Sequence, residues 1–240
     1  MRLPNMFGLL TASALLIGAT SANALQLTLE EVGGGGATTT ILDNGAGDLN
    51  PNDGAILFNG SIGSFTINIV GGLGDPALEG DNPHAAATSL TFNSVSSGPG
   101  TLRITLLDEG PDDNGLSVIP VGDGRQDVSS TININQAVGT VDVATFINVN
   151  DTGDQEINSD SLTNGNGTTD TKSLDPVLFL TMNDTFTLKT VALLQHDKAG
   201  NSLGTASIDV QAVPLPTALP LFLTALVGLG LVGRHRRKAA

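Results

Sequence analysis

An acidic, glycine-rich segment near the start of the chain carries side chains that could hold a hard cation. It reads DNGAGDLNPNDG from position 43 to position 54. Asp43, Asp48, Asn50 and Asp53 supply carboxylate and amide oxygens on one turn, and calcium takes about six to eight oxygen ligands. The same residue types also form ordinary solvated turns. The segment therefore predicts either a calcium site or a polar turn.

A second segment, from position 148 to position 160, also carries oxygen donors at closely spaced positions. Its candidate calcium ligands are Asn148, Asn150, Asp154 and Asp160. The segment resembles the calcium loops of EF-hands and dockerins in its alternating donors and its central Gly153. It departs from them at Thr152, where Asp or Asn is usual, and at Ile157, which falls two places late. We expect one loop here, either a metal site or a polar turn, and a disordered continuation over residues 163–170.

Nucleophilic catalysis lacks its usual residues. The chain has no Cys. His84 and His196 both fall in turn-like sequence, so we expect them at the surface and expect no catalytic residues. A carboxylate pair for glycoside hydrolysis stays open as an alternative, because 24 acidic residues leave many possible pairs.

The elements that must position these residues are short strands. Apolar residues alternate with polar ones in runs rich in Thr, Ile, Val and Phe, and Asn-Gly turns separate several of them. The predicted strands are Leu25–Glu30, Thr38–Leu42, Ala55–Phe58, Ser64–Val70, Thr88–Val95, Thr101–Leu107, Ser130–Ile134, Val141–Val149, Val177–Leu180, Thr185–Leu194 and Ala206–Val210. We expect an all-β fold, an antiparallel β-sandwich with Greek-key or jelly-roll connections. Two smaller β domains, divided near residues 110–124, are the alternative.

Composition limits the partners of the body, residues 25–212. It holds five Lys/Arg against 24 acidic residues, a formal charge of −19. Such a body should repel nucleic acid and attract divalent cations. Without Cys it has no disulfides, and without Trp or Tyr it lacks the commonest platforms for stacking sugars. We expect six phenylalanines to be core residues: Phe58, Phe65, Phe92, Phe146, Phe179 and Phe186.

The N-terminal residues have the pattern of a signal peptide over 1–24. Arg2 gives a positive start, Met6–Ala19 is mostly apolar, and Ala22 and Ala24 form the small-x-small site that signal peptidase accepts. We expect cleavage after Ala24.

The last 28 residues, 213–240, combine prolines, an apolar run and a basic end. Leu215–Val232 contains no charge and, as a helix of 18 residues, would span about 27 Å, close to the hydrocarbon thickness of a bilayer. The basic residues Arg234, Arg236, Arg237 and Lys238 follow it within 234–238. Since such clusters stay on the cytoplasmic side, the body should lie outside the inner membrane.

The order of these features resembles a known sorting signal. Val213, Pro214, Leu215 and Pro216, then the apolar span and the Arg-rich end, resemble the PEP-CTERM sorting signal of Gram-negative bacteria in its VPLPA form, with Thr217 in place of Ala. The resemblance implies recognition by exosortase, a membrane-embedded enzyme. It also implies removal of the tail and release to the cell surface or extracellular matrix, often with exopolysaccharide.

These observations predict an exported, non-enzymatic protein of the surface or matrix, inserted in the inner membrane only as a sorting intermediate. The alternatives are a calcium-dependent adhesion or polysaccharide-binding module and, more remotely, a carboxylate-pair hydrolase. No cofactor is expected other than calcium.

Overall fold

The computed structural model describes residues 25–33, 36–73, 85–108, 125–149, 152–173, 178–179 and 186–212, and this part of the chain is built from strands without a helix. The strands are β1 Leu25–Glu31, β2 Thr38–Leu42, β3 Ala55–Ile62, β4 Phe65–Leu73, β5 Ala85–Ser96, β6 Gly100–Asp108, β7 Arg125–Val149, β8 Gln155–Gly165, β9 Thr168–Ser173, β10 Leu178–Phe179, β11 Phe186–His196 and β12 Gly200–Ala212. The predicted all-β class is confirmed. Among these residues no helix is long and apolar enough to cross a membrane.

The strands form two antiparallel sheets that share β7. Sheet A has the order β2-β1-β6-β11-β7-β8, and sheet B has the order β9-β7-β12-β5-β4-β3, with β10 also paired to β7. Strands that precede residues 109–124 pair with strands that follow them, since β6 pairs with β11 and β5 pairs with β12. The described strands on the two sides of this segment therefore share both sheets of the β-sandwich.

Strand β7 runs through both sheets. Its first half, from Gln126 to Gln136, pairs with β12, and its second half, from Thr140, pairs with β11 and β8. Between them Gly139 adopts a φ of +79°, and a Cβ there would lie 2.0 Å from the carbonyl oxygen of Gln195. Glycine is needed because the two strands approach closely at this bend. Ser130–Ile134 and Val141–Val149, predicted as separate strands, are one strand of 25 residues.

Strands β8 and β9 correct the expectation of a loop and a disordered continuation. Residues 155–165 and 168–173 are strands at the edge of sheets A and B, joined by a turn in which Gly167 has a φ of +75°. Their sequence is polar because an edge strand buries few side chains, and in β8 only Ile157 and Asn158 are fully buried. Polar strands of this kind lack the apolar alternation by which strands are recognised.

The interior follows from the period-two alternation of the strands. In β1 and β6, for example, every second residue is buried. Phe65, Phe92 and Phe186 are buried as predicted, and Phe58 packs against the core while partly exposed. The side chain of Phe179 lies outside the described residues.

Candidate functional site

The first acidic segment forms an ordered loop that connects β2 in sheet A with β3 in sheet B. Asp48 organises it by accepting hydrogen bonds from the backbone N–H groups of Asn44 at 3.0 Å, Asn50 at 2.8 Å and Leu57 at 2.9 Å. Asp43 is buried and accepts from the N–H of Gly54 at 2.7 Å. The loop therefore brings its carboxylates together to satisfy its own backbone donors.

The remaining oxygen donors of this loop are also used within it. Asp53 accepts from the Asn44 side-chain amide at 2.8 Å, and the Asn50 side-chain oxygen accepts from Asn52. Among these oxygen atoms of the loop, only Oδ1 of Asp43 is buried without a hydrogen-bond partner. No group of three or more His, Cys, Asp or Glu side chains in the described part of the chain is placed to hold a metal. Calcium binding stays a prediction, which a calcium titration of the melting temperature tests.

The second acidic segment is not one loop, because its residues from Gln155 onward belong to strand β8. Asn148 is the last residue but one of β7, and its side-chain oxygen accepts from the N–H of Gly153 at 3.2 Å. Asp154 forms an ion pair with Lys189 on β11. Asp160 accepts from the Thr168 hydroxyl at 2.6 Å and lies six residues further along, about 20 Å in an extended strand. The structure does not bring Asp154 and Asp160 together, and Asn150 lies outside the described residues.

His196 is buried, contrary to the surface position predicted for it. Its side chain is 4% exposed, its ring lies edge-on to Phe65 with centroids 5.4 Å apart, and its Nε2 is 2.9 Å from the Ser202 hydroxyl. Burial lowers the pKa of this imidazole, and the charge of Asp197 opposes the shift. Ser202 is the serine of a Gly-x-Ser-x-Gly match, Gly200 to Gly204, but it lies within strand β12 and not at the strand-to-helix turn that this motif forms in hydrolases. It also accepts from the N–H of Val138 and is fully buried, so its hydroxyl is not accessible to a substrate. His84 lies outside the described residues.

The outer face of sheet A carries a groove of about 610 Å³, within the size range of small-ligand sites. Alternate residues of β7, β8 and β11 line it, because successive side chains of a strand point to opposite faces. We call it the sheet A groove. Its floor is Ala144, Phe146, Val191 and Leu193, and its polar side chains are Asp142, Ser159, Ser161 and Lys189. Val143 and Asp160, a pair of register partners between these residues, also border it.

Register explains how these residues meet. Ala144 of β7 is the partner of Ser159 on β8 and of Val191 on β11, while Asp142 is the partner of Ser161 and of Leu193. An apolar strip therefore runs along β7 and β11, and hydroxyl groups border it on β8.

Hydrogen bonds fix the polar side of the groove. The Asp142 carboxylate accepts from the Ser161 hydroxyl at 2.6 Å and from the side-chain amide of Gln195 at 3.1 Å. At the other end, Nζ of Lys189 lies 5.0 Å from the centroid of the Phe146 ring and pairs with Asp154. The groove thus combines an aliphatic and aromatic floor with acceptors and hydroxyls held in place at its edge.

Phe146 corrects the expectation of a core residue, since it is partly exposed on the outer face of sheet A. The sequence held the signal for this position. Val143, Thr145 and Ile147 alternate toward the interior, so Phe146 between them must point outward. The hydroxyls of Ser159 and Ser161 had no such signal, because β8 was not recognised as a strand.

The processing residues lie outside the described part of the chain. These are Ala22 and Ala24 of the signal peptide, the motif Val213–Pro216, and Arg234, Arg236, Arg237 and Lys238 of the basic end.

Comparison with known proteins gives structural similarities only. No family model and no curated protein matches the chain significantly. Among solved structures, it is similar to TmCBM61 in complex with β-1,4-galactotriose (TM-score 0.27, 10% identity, 62% of this chain and 90% of that one). It is also similar to the CBM22-1 xylan-binding domain of Paenibacillus barcinonensis Xyn10C (TM-score 0.29, 10% identity, 69% of this chain and 89% of that one). A third similar structure is that of infectious bursal disease virus, Gx strain (TM-score 0.30, 14% identity, 83% of this chain and 54% of that one). At TM-scores below 0.5, these similarities carry no conclusion about function.

Proposed function

We propose that this chain is an exported, non-enzymatic protein whose sandwich binds polysaccharide through the sheet A groove. The observation that carries the proposal is the pairing of an apolar floor with a fixed carboxylate and hydroxyl edge. A sugar ring has matching surfaces, because its C–H faces are apolar and its rim carries hydroxyl groups. The ring would lie on Phe146 and Val191, and its hydroxyls would donate to Asp142 and exchange hydrogen bonds with Ser159 and Ser161.

Binding fits this groove better than catalysis does. Asp142 accepts a hydrogen bond on each carboxylate oxygen, which suits a fixed acceptor for ligand hydroxyls and not a proton donor. The contact between His196 and Ser202 also combines residue types used in catalysis, but both side chains are buried in the sandwich. A carboxylate-pair hydrolase therefore finds no support in the described geometry.

The binding proposal is tested with the full chain and two variants. Affinity electrophoresis on neutral and charged polysaccharides should show retardation of the wild-type protein. Phe146→Ala should weaken the interaction about tenfold, since losing an aromatic contact costs about 1.5 kcal/mol. Thr205→Ala, on the outer face of sheet B, is the matched control and should bind as wild type. Equal retardation of the Phe146→Ala variant and the wild type, or none of either on any polysaccharide, would overturn the proposal.

We infer in addition that the protein reaches the surface as a sorted and trimmed form. The described pairing of strand β12 reaches Ala212, so the folded body extends at least to the residue before Val213. In a host with an exosortase, Pro214→Ala with Pro216→Ala should leave the tail attached, which mass spectrometry of the membrane and medium fractions measures. Release of a tail-less protein from this double variant would contradict exosortase processing.

A further inference from the structure

The sheet A groove continues into a second depression on the same face. That depression, about 370 Å³, lies at the end of sheet A and is lined by polar side chains that include Thr101, Thr140, Asn164, Gln195 and Asp197. Thr140 precedes Asp142 by two residues on β7, and Gln195 follows Leu193 by two residues on β11. Both strands therefore present these residues to the same outer face as the groove.

A hydrogen bond joins the two depressions. The Gln195 amide, which lines the second, donates to the Asp142 carboxylate, which lines the first. Beside it, the hydroxyls of Thr140 on β7 and Thr163 on β8 are 3.1 Å apart, so the hydroxyl edge continues past Asp142. The outer face thus carries one continuous surface from Phe146 to Thr140, which we call the sheet A track.

The length of the track exceeds one sugar ring. Six residue steps separate Thr140 from Phe146, which is about 20 Å along an extended strand. Among the described residues, the track follows the strands over an open sheet face, so a polymer can leave it in both directions. A site of this shape accommodates an interior segment of a chain and does not require a chain end.

The charges along the track do not have a single sign. Lys189, paired with Asp154, lies at the Phe146 end, Asp142 lies in the middle with both oxygens hydrogen-bonded, and Asp197 lies at the far end. A polyanion would meet Asp142 and Asp197, within a body of charge −19. A polycation would be attracted by these carboxylates, but both oxygens of Asp142 are already hydrogen-bonded, and the Lys189 ammonium lies over the aromatic ring at the other end. An uncharged chain that exchanges hydrogen bonds needs no opposite charge on the track.

We propose that the sheet A track binds an interior segment of an uncharged polysaccharide, with Thr140 and Gln195 forming subsites beyond those of the groove. This proposal rests on the polysaccharide-binding function proposed above and extends it to the class of polymer and the length of the bound segment.

Calorimetry on the full chain with neutral gluco-, xylo- and galacto-oligosaccharides, from disaccharide to hexasaccharide, tests it. Affinity should rise with length. Thr140→Ala should weaken hexasaccharide binding at least threefold and leave disaccharide binding unchanged. Phe146→Ala and Gln195→Ala should weaken the binding of both, since Gln195 also holds the Asp142 carboxylate of the groove. Thr205→Ala should change neither. Melting curves of each variant establish that it is folded. Raising the salt concentration should change the affinity less than twofold, because no ion pair forms with the ligand.

The possible outcomes separate the two proposals. If Phe146→Ala weakens binding while Thr140→Ala leaves the hexasaccharide unaffected, the track is wrong and the groove function stands. If polygalacturonate or chitosan binds more tightly than every neutral chain, with an affinity that falls steeply with salt, the uncharged polymer is wrong. If no saccharide binds, the polysaccharide-binding function fails as well.

Discussion

Individual polar residues in this sandwich are mostly committed to the fold, and this limits which of them can act on a ligand. Asp48 holds three backbone N–H groups of its loop. The Glu31 carboxylate accepts hydrogen bonds from the hydroxyl and from the N–H of Ser64. Both lower the pKa of this carboxyl, and the hydrogen bond from the hydroxyl has the larger effect. Asp142 differs because its partners are themselves exposed side chains on the face of a sheet. Whether a polar side chain is available to a ligand therefore depends on its position in the strand register, which the sequence alone does not reveal.

The buried imidazole of His196 makes stability depend on pH. In the folded protein the pKa of His196 is lowered from its ordinary value of 6.5. As the pH falls below 6.5, the unfolded chain therefore binds a proton on this residue more readily than the folded chain does. Stability should therefore decrease between pH 7 and pH 5. Glu31 contributes only at lower pH, because its lowered pKa adds stability that is lost below the ordinary 4.5.

Urea denaturation of the wild type and of His196→Gln at both pH values measures this effect. The variant should lose most of the dependence on pH, whatever its absolute stability. A wild type equally stable at pH 7 and pH 5 would contradict the burial of a neutral His196.

At the level of elements, alternation revealed most strands, and the rest escaped it for identifiable reasons. β1, β2, β6 and β11 were recognised because one face of each is apolar or β-branched. β7 was divided in two because the alternation breaks around Gly139, where the strand passes between sheets. Apolar alternation does not predict β8 and β9, because an edge strand needs few apolar side chains. It does not predict the groove either, since β8 supplies the hydroxyl border of the groove.

The bend at Gly139 is the element-scale feature most easily tested. Gly139→Ala places a Cβ 2.0 Å from a backbone oxygen at a positive φ, so both crowding and backbone strain oppose it. Gly153 also has a positive φ, but a Cβ there meets nothing within 4 Å. Gly153→Ala should cost about 1 kcal/mol of unfolding free energy, and Gly139→Ala at least about 2 kcal/mol more. Equal losses in chemical denaturation would show that β7 does not bend tightly against β11.

At the level of the whole molecule, the sandwich is a strongly acidic, cysteine-free body. Its formal charge of −19 favours solubility, and the absence of Cys leaves burial to hold the two sheets together. The sequence alone predicts the signal-like ends, because apolar length and terminal charge are visible in it. The proposed binding face required the structure, because it is assembled from three strands, β7, β8 and β11, whose register the sequence does not show.

Hydrogen exchange of the full chain with and without a bound neutral polysaccharide tests the central claim most directly. Our account predicts added amide protection in β7 around Asp142–Phe146, in β8 around Ser159–Ser161 and in β11 around Lys189–Gln195, with β5 and β12 of sheet B unchanged. Protection confined to sheet B or to the loop of residues 43–54 would contradict it and would move the binding site away from the sheet A groove.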